Sequence, residues 1–480
     1  MLTAPWQEAL HQLQQQRSHA AHSTSDLLPS YRAAITSVGR AGKWKLAVEL
    51  LESLEADGVS ADPICYSEAM ASCRKNGQWP VSLRLLSDLR NSGRRPDVYT
   101  TSNGIAAHAA AGQWRQALQL LEELDQPNTV CYNAALSACA ASGRWKEALR
   151  LLEQLEGDVE ALPTPLVPPP SAPPLTNAEA RRQRAASKRR AKLSSNARSY
   201  ASAMTACTRG KQWRRALELW KRMEQRGIQP DGVAFGAVVA ACSEGGEATR
   251  ALRLLHAMRA SGVCADAVVY NTALTACARH RPPLWKPARQ LLRDMKRWGV
   301  ARTTVSYNAA LAAAAAARNA GAARRLLEVM PEDGAAPDAT SFGTAISACE
   351  RSRDWRSAVA VLRQAQAADC ADLECFNSAL SAVARGSGWR AAFSMLREVQ
   401  AAGLQPSART YGPVLRASRR QPRLIVDLVE NEIAPRKLRL DAFAGSAVIS
   451  SIGATRQWQK ALGILELIDQ VMAANGSARR

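Results

Sequence analysis

The sequence predicts an all-α chain, a right-handed α-solenoid superhelix of helix-turn-helix repeats. Three observations predict it: a recurring tryptophan, a recurring aromatic residue ahead of it, and regular glycine and proline breaks. Of the 12 tryptophans, nine (Trp44, Trp79, Trp114, Trp145, Trp213, Trp285, Trp355, Trp389 and Trp458) are spaced by one or two units of about 35 residues, and such a fixed period marks a repeat architecture. Tyr or Phe keeps step with them at Tyr31, Tyr66, Tyr132, Tyr200, Phe235, Tyr270, Tyr307, Phe342, Phe376 and Tyr411.

Within a unit, apolar residues recur every three or four positions over 66–73 and again over 80–89, which predicts two amphipathic helices. Gly77 is placed to turn the chain between them, as are Gly42, Gly112, Gly143 and Gly246, because a residue without Cβ ends a helix cheaply in the left-handed region. A second break closes the unit: Gly93-Arg94-Arg95-Pro96-Asp97, and again Gly227-Ile228-Gln229-Pro230-Asp231. Two short helices cannot bury their apolar faces alone, so the units must stack on one another. The pairs Ala117-Leu118, Ala148-Leu149, Ala216-Leu217 and Ala251-Leu252 suit close helix approach.

Units begin at Leu28, Pro63, Val98 and Thr129, then at Ala197, Gly232, Ala267, Thr304, Ala339, Leu373 and Ala408, with a terminal partial unit and tail from Ala442. The expected organisation is a partial repeat or cap over 5–27, four repeats over 28–156, an insertion over 157–196, seven repeats over 197–441 and a cap over 442–480. Residues 1–27 lack the basic start and apolar centre of a signal peptide, and Trp6-Gln7-Glu8-Ala9-Leu10 already reads as a second helix, as in a chain that starts after a presequence or an upstream segment. The insertion is Pro-rich over 163–174. It then turns basic, with Arg181, Arg182, Arg184, Lys188, Arg189, Arg190, Lys192 and Arg198 against Glu179, the composition of a disordered loop. It is either a solvated spacer or an auxiliary nucleic-acid contact.

Length and composition narrow the function. With 480 residues and 47% apolar content the chain can bury a large core, and 63 Lys+Arg against 42 Asp+Glu leave a formal charge of +21. Such an excess points to nucleic acid or to an anionic membrane surface. The longest apolar stretch, 309–317, falls well short of the roughly 18 to 20 residues that span a bilayer, so no membrane partner is expected.

The 11 cysteines all occupy repeat positions. Cys73, Cys139, Cys207, Cys242, Cys277 and Cys349 end a first helix, Cys65, Cys131 and Cys375 precede the aromatic, and Cys264 and Cys370 stand in closing turns. A residue recurring in this way is read as a small apolar filler. No Cys-x-x-Cys, P-loop, Gly-x-Ser-x-Gly or His-Glu-x-x-His motif occurs, and His11, His19, His22, His108, His256 and His280 are scattered. No enzyme activity, metal, cofactor or small-molecule substrate is expected.

Two segments then suggest a family. Val130-Cys131-Tyr132-Asn133-Ala134-Ala135-Leu136-Ser137-Ala138-Cys139 and Val269-Tyr270-Asn271-Thr272-Ala273-Leu274 resemble the opening of pentatricopeptide repeats, and the Gly-x-x-Pro-Asp endings are similar too. The likeness covers nearly the whole chain outside 157–196. It implies an organellar protein, of chloroplast or mitochondrion, that binds single-stranded RNA and acts on RNA processing, stability or translation by occupancy, together with RNA-processing proteins.

In that family the residue after the opening aromatic and the last residue of the unit read one base. The resemblance therefore implies the pairs Arg32 with Asp62, Ser67 with Asp97, Ser102 with Asn128, Ala201 with Asp231, Gly236 with Asp266, Asn271 with Thr303, Asn308 with Asp338, Gly343 with Asp372, Asn377 with Ser407 and Gly412 with Asp441. Asn133 loses its natural partner to the insertion. Ser and Asn present donors and acceptors in a small footprint suited to the edge of an unstacked base. The terminal Asp residues equally suit helix N-caps, whereas Asn inside the first turn costs helix propensity without capping. By the family's rule the strand is G-A-pyrimidine, two unassigned bases, pyrimidine-U, one unassigned base, then C. The pairs led by Ala201, Gly236, Gly343 and Gly412 depart from the pattern and are expected to select weakly.

A basic stripe, Arg40, Lys75, Arg209, Arg279, Arg351, Arg385 and Arg420, recurs near the end of the first helix, where it would track phosphates or simply face the helix dipole. The tryptophans are expected to pack rather than to stack on bases. The rival readings are a protein-interaction solenoid of the tetratricopeptide type, and an RNA-editing or RNA-cleaving enzyme whose chemistry would come from elsewhere.

Overall fold

A computed structural model of the chain describes residues 5–19, 27–160, 195–433, 435–436, 438 and 442–453. Every regular element among them is helical. After Pro5–His19, first helices run over Leu27–Arg40, Pro63–Lys75, Val98–Ala110, Thr129–Ala141, Ala197–Arg209, Gly232–Gly245, Ala267–Arg279, Thr304–Ala316, Ala339–Ser352, Leu373–Gly386, Ala408–Ala417 and Ala442–Gly453. Second helices follow at Trp44–Ala56, Trp79–Asn91, Trp114–Glu122, Trp145–Glu160, Trp213–Gln225, Ala248–Ala260, Trp285–Arg297, Ala320–Glu332, Trp355–Ala367, Trp389–Ala401 and Pro422–Leu428. The unit starts read from the sequence coincide with these first helices, the first of which opens one residue earlier, at Leu27. The fold is an α-solenoid.

Two compact bodies divide the chain: Met1–Gly245 with Arg253–Cys264, and Gly246–Leu252 with Ala265–Arg480. Inside each, consecutive first helices pack on one another. The turn between the two helices of a unit is made as expected by left-handed glycines such as Gly77, at φ 70°. Lys211, Arg318 and Arg353 take the same conformation where a unit lacks glycine, at φ 58°, 53° and 62°.

The opening aromatics form the spine of the core, with Tyr31, Tyr200, Tyr270, Tyr307 and Tyr411 fully buried. A buried hydroxyl must be hydrogen-bonded, and an acid at the end of a second helix accepts it: Tyr31 bonds Asp57 at 2.5 Å, Tyr411 bonds Glu432 at 2.7 Å, and Tyr66, Tyr200 and Tyr307 bond Glu55, Glu156 and Asp333. Burial, with the acid acceptor, pushes the Tyr31 hydroxyl up to about 12.

The tryptophans open eight of the described second helices and are half-buried or nearly so, Trp79 being 38% exposed. Their packing role is visible where the next unit's first helix ends in glycine. A Cβ at Gly245 would stand 2.7 Å from the Trp213 ring, and Gly210 and Gly386 abut Trp145 and Trp355 as closely. Arg215 and Arg144 cover the Trp145 and Trp114 rings at 4.2 and 4.8 Å. Trp458 lies outside the described residues.

All 11 cysteines are free, and only Cys264 is exposed and Cys370 half-buried. Burial pushes Cys65, Cys139 and Cys375 up to about 12, and Cys73, Cys207, Cys277 and Cys349 up to about 11. Because the thiolate is the nucleophile, iodoacetamide at about pH 8 is expected to modify Cys264 and Cys370 in the native protein and spare the rest. Peptide mass spectrometry reads this out, and comparable labelling at Cys73 or Cys207 would contradict a packing role.

Most of the insertion, 161–194, lies outside the described residues. The helix before it carries on to Glu160, inside the interval assigned to the loop, and the next unit is already organised at Asn196.

Candidate nucleic-acid interface

The last residue of each unit precedes a helix, where four backbone N–H groups lack partners. Asp62, Asp97, Asn128, Asp231, Asp266, Asp338 and Asp372 each accept the N–H of the third helical residue through Oδ1, at 2.7 to 3.0 Å. Thr303 and Ser407 form capping boxes with Ser306 and Thr410. These residues are therefore N-caps, and only the atoms that capping leaves free are available to a ligand. Asp441 lies outside the described residues.

The other member of each pair sits one turn into the first helix. Asn133, Asn271, Asn308 and Asn377 are all half-buried. Asn308 Nδ2 lies 3.2 Å from Asp338 Oδ1, and Asn308 Oδ1 accepts the Ser341 hydroxyl at 2.5 Å. Burial alone would raise the Asp338 pKa, but hydrogen bonds from Ser341 and Asn308 outweigh it and hold the carboxyl below its usual range. Arg32 is ion-paired with Asp62 through its Nη2, while its Nε is buried without a hydrogen-bond partner. Ser67 and Ser102 are buried and donate back into their own helices, to Ile64 O at 2.9 Å and Tyr99 O at 2.8 Å. Ala201 and Gly412 are buried, and Gly236 and Gly343 are half-buried with no side chain to offer.

Asn133 does not lack a partner. Asn196 caps the next first helix as Asp338 does, and Ser199 donates to Asn133 Oδ1 at 2.6 Å while lying 3.1 Å from Asn196 Oδ1. The insertion spoils the count of residues along the chain but not the juxtaposition in space, so Asn196 is the residue that sequence counting missed.

A second missed feature is apolar. Ile64, Tyr99, Val130, Val233, Val268 and Val305, each the second residue of a first helix, are 41% to 69% exposed. Each lies three residues before the base-reading position and so on the same helix face. Scattered exposed apolar residues need no explanation, but one at the same place in six units does. The signal was present in the sequence as the Val or Ile two residues ahead of the aromatic.

All seven stripe residues are exposed. Arg209 donates to the last carbonyls of the preceding first helix, Ala140 O at 3.2 Å and Ala141 O at 3.1 Å, and Arg385 pairs with Glu350 at 3.1 Å. In the second body a groove of about 470 Å³ brings Arg279, Arg351, Gly343 and Asp372 onto one surface with Ala312 and Ser347. Stripe residues and the residues expected from the sequence to read a base thus line a common groove there. Among the described residues no group of three or more His, Cys, Asp or Glu could hold a metal ion, and no helix is long and apolar enough to cross a membrane.

Two repeat models match the sequence: the pentacotripeptide-repeat region of PRORP over residues 229–388, and the PPR repeat over 29–59, 130–158 and 198–228. Together they take in just over half of the chain. No curated protein matches it. Among solved structures the chain is similar to the pentatricopeptide repeat protein PPR10 from maize, with 17% identity over 100% of this chain and 78% of that one and a TM-score of 0.41. It is also similar to PPR10 in complex with an 18-nt psaJ RNA element (20% identity, 94% and 74% coverage, TM-score 0.34) and to yeast Rmd9p in complex with a 16-nt target RNA (11%, 83% and 95%, 0.33). With these repeat models matching in register with the helices described above, the chain belongs to the pentatricopeptide repeat family.

Proposed function

We propose that the protein is a sequence-selective binder of single-stranded RNA that acts in a chloroplast or mitochondrion by occupying its transcript, without chemistry of its own. The observation that carries this reading is one combination repeated in the units of Asn133, Asn271 and Asn308: a half-buried asparagine amide, a residue that caps the next unit's first helix, and an exposed apolar residue (Val130, Val268, Val305) one turn earlier on the same face. The apolar residue gives a base a surface to lie on, the amide meets its edge, and the exposed cations of the stripe meet the phosphates. Asn196 closes the pair with Asn133, so the pyrimidine assigned to that unit is read without a gap.

Selection from a random single-stranded RNA pool tests the reading. The expected product is enrichment of G-A-pyrimidine, two free positions, pyrimidine-U, one free position and C. Failure to retain RNA at low salt above an acidic control protein would point instead to a protein-binding solenoid.

A further inference from the structure

The four asparagines share a companion that the base-reading pairs do not include. The third residue of the next unit's first helix is Ser199 after Asn133, Ser306 after Asn271, Ser341 after Asn308 and Thr410 after Asn377. Units led by Arg32, Ser67, Ser102, Ala201, Gly236 and Gly343 are followed at that place by Cys65, Thr100, Cys131, Ala234, Val269 and Cys375. The unit led by Gly412 is followed there by Ala444, so a hydroxyl follows every asparagine and only one of the other seven lead residues.

The geometry explains the association. Each of these hydroxyls accepts the backbone N–H of the cap residue, at 3.4 Å from Asn196, 3.3 Å from Thr303, 3.3 Å from Asp338 and 3.0 Å from Ser407, which leaves its own proton to be donated. In two units the nearest acceptor for that proton is the asparagine Oδ1, at 2.6 Å in Asn133 and 2.5 Å in Asn308, ahead of the cap's own Oδ1 at 3.1 Å in Asn196 and 2.8 Å in Asp338. In the other two, Asn271 Oδ1 and Asn377 Oδ1 are buried with no hydrogen-bond partner. A buried acceptor left unmet is costly, and Ser306 and Thr410 supply the matching donor at the same register. In three of the units where no asparagine precedes, the third residue reaches the carbonyl of the first residue of the unit before: Thr100 Oγ1 to Pro63 O at 3.2 Å, with Asp97 Oδ1 as a second acceptor, Cys131 Sγ to Val98 O at 3.8 Å and Cys375 Sγ to Ala339 O at 3.6 Å.

We propose that Ser199, Ser306, Ser341 and Thr410 are positioning residues that set which end of the asparagine amide faces the RNA. An amide is nearly symmetric in shape, and nothing but its hydrogen bonds distinguishes O from NH₂. With Oδ1 held inward, the NH₂ is turned outward; in the Asn308 unit one of its protons goes to Asp338, and the other is left to select a base that shows it an acceptor. Without the hydroxyl the amide is free to turn over, and the unit accepts donor and acceptor edges alike. This rests on the RNA-reading function proposed above.

Ser341→Cys is the informative variant. Cysteine occupies this position in three other units, so it fits, its thiol is a weak donor, and Asp338 Oδ1 still caps the helix through the residue 341 N–H at 2.7 Å. Dissociation constants are measured for four RNAs differing only at the base read by Asn308, with wild type, Ser341→Cys and Ser341→Thr. The preference for the best base over the worst is expected to fall about fivefold in the cysteine variant, the worth of one hydrogen bond, and to return in the threonine variant. An unchanged preference in Ser341→Cys, or a loss of affinity spread evenly over the four RNAs, would overturn the positioning role while leaving RNA reading intact. Absence of RNA binding or of base preference in the wild type would overturn both.

Discussion

Replacing Arg40, Lys75, Arg351 and Arg420 together with glutamine is expected to weaken binding of single-stranded RNA by several hundredfold at 0.1 M salt, the largest effect the site allows. These four are exposed like the rest of the stripe, and unlike Arg385 they make no ion pair among the described residues, so their charges are available to phosphates. Each phosphate contact on a single strand contributes about 0.7 to the slope of log affinity against log salt. Between 1 M and 0.1 M salt that is about fivefold per contact and about 600-fold for four. The slope itself should flatten by about 3, which separates loss of counterion release from loss of fold. Fluorescence anisotropy across a salt series measures both. An unaltered slope would mean that the stripe serves the helix ends and that phosphates bind elsewhere.

The second large effect concerns stability. Glu156→Ala is expected to destabilise the first body by about 2–4 kcal/mol, because it strips the acceptor from a buried hydroxyl and two guanidinium groups at once. Glu156 is 2% exposed, accepts the Tyr200 hydroxyl, and is ion-paired with Arg222 and with Arg226 at 3.3 Å. The two arginines are partly exposed and recover hydration when released, so they contribute less than a fully buried pair would. Tyr200 is fully buried and cannot. Glu156→Gln keeps an acceptor for Tyr200 and should cost less than the alanine change. Hydrogen exchange over 197–225 is the suitable measurement, since stacked repeats open locally rather than all at once. Protection equal to wild type in Glu156→Ala would show that the contacts of the neighbouring helices suffice without it.

The repeat boundaries were legible because they rest on local physics. Proline, glycine and cap residues act on the backbone within a few positions, and the tryptophan that opens eight of the described second helices marks the register without any knowledge of its partner. The interface was legible only in part, for reasons that differ residue by residue. Asn308 and Asp338 are 30 positions apart, as a constant period requires, and counting along the chain finds them. Asn196 stands behind the insertion, where counting fails although the packing of Thr129–Ala141 against Ala197–Arg209 restores the pair. Arg209 looks like its counterparts in sequence, but the two carbonyls that engage it belong to the end of a neighbouring helix and are visible only in three dimensions. The companion hydroxyls escaped for a related reason: Ser199 and Ser341 read as ordinary members of a capping box, and their second bond crosses to another unit.

Ser199 and Asn133 are 66 residues apart, whereas Ser341 and Asn308 make the same bond across 33. The phase between these two units is therefore kept by helix packing, not by residue number. Length added between Glu160 and Asn196 leaves the bond across that junction the same as the one between Asn308 and Ser341.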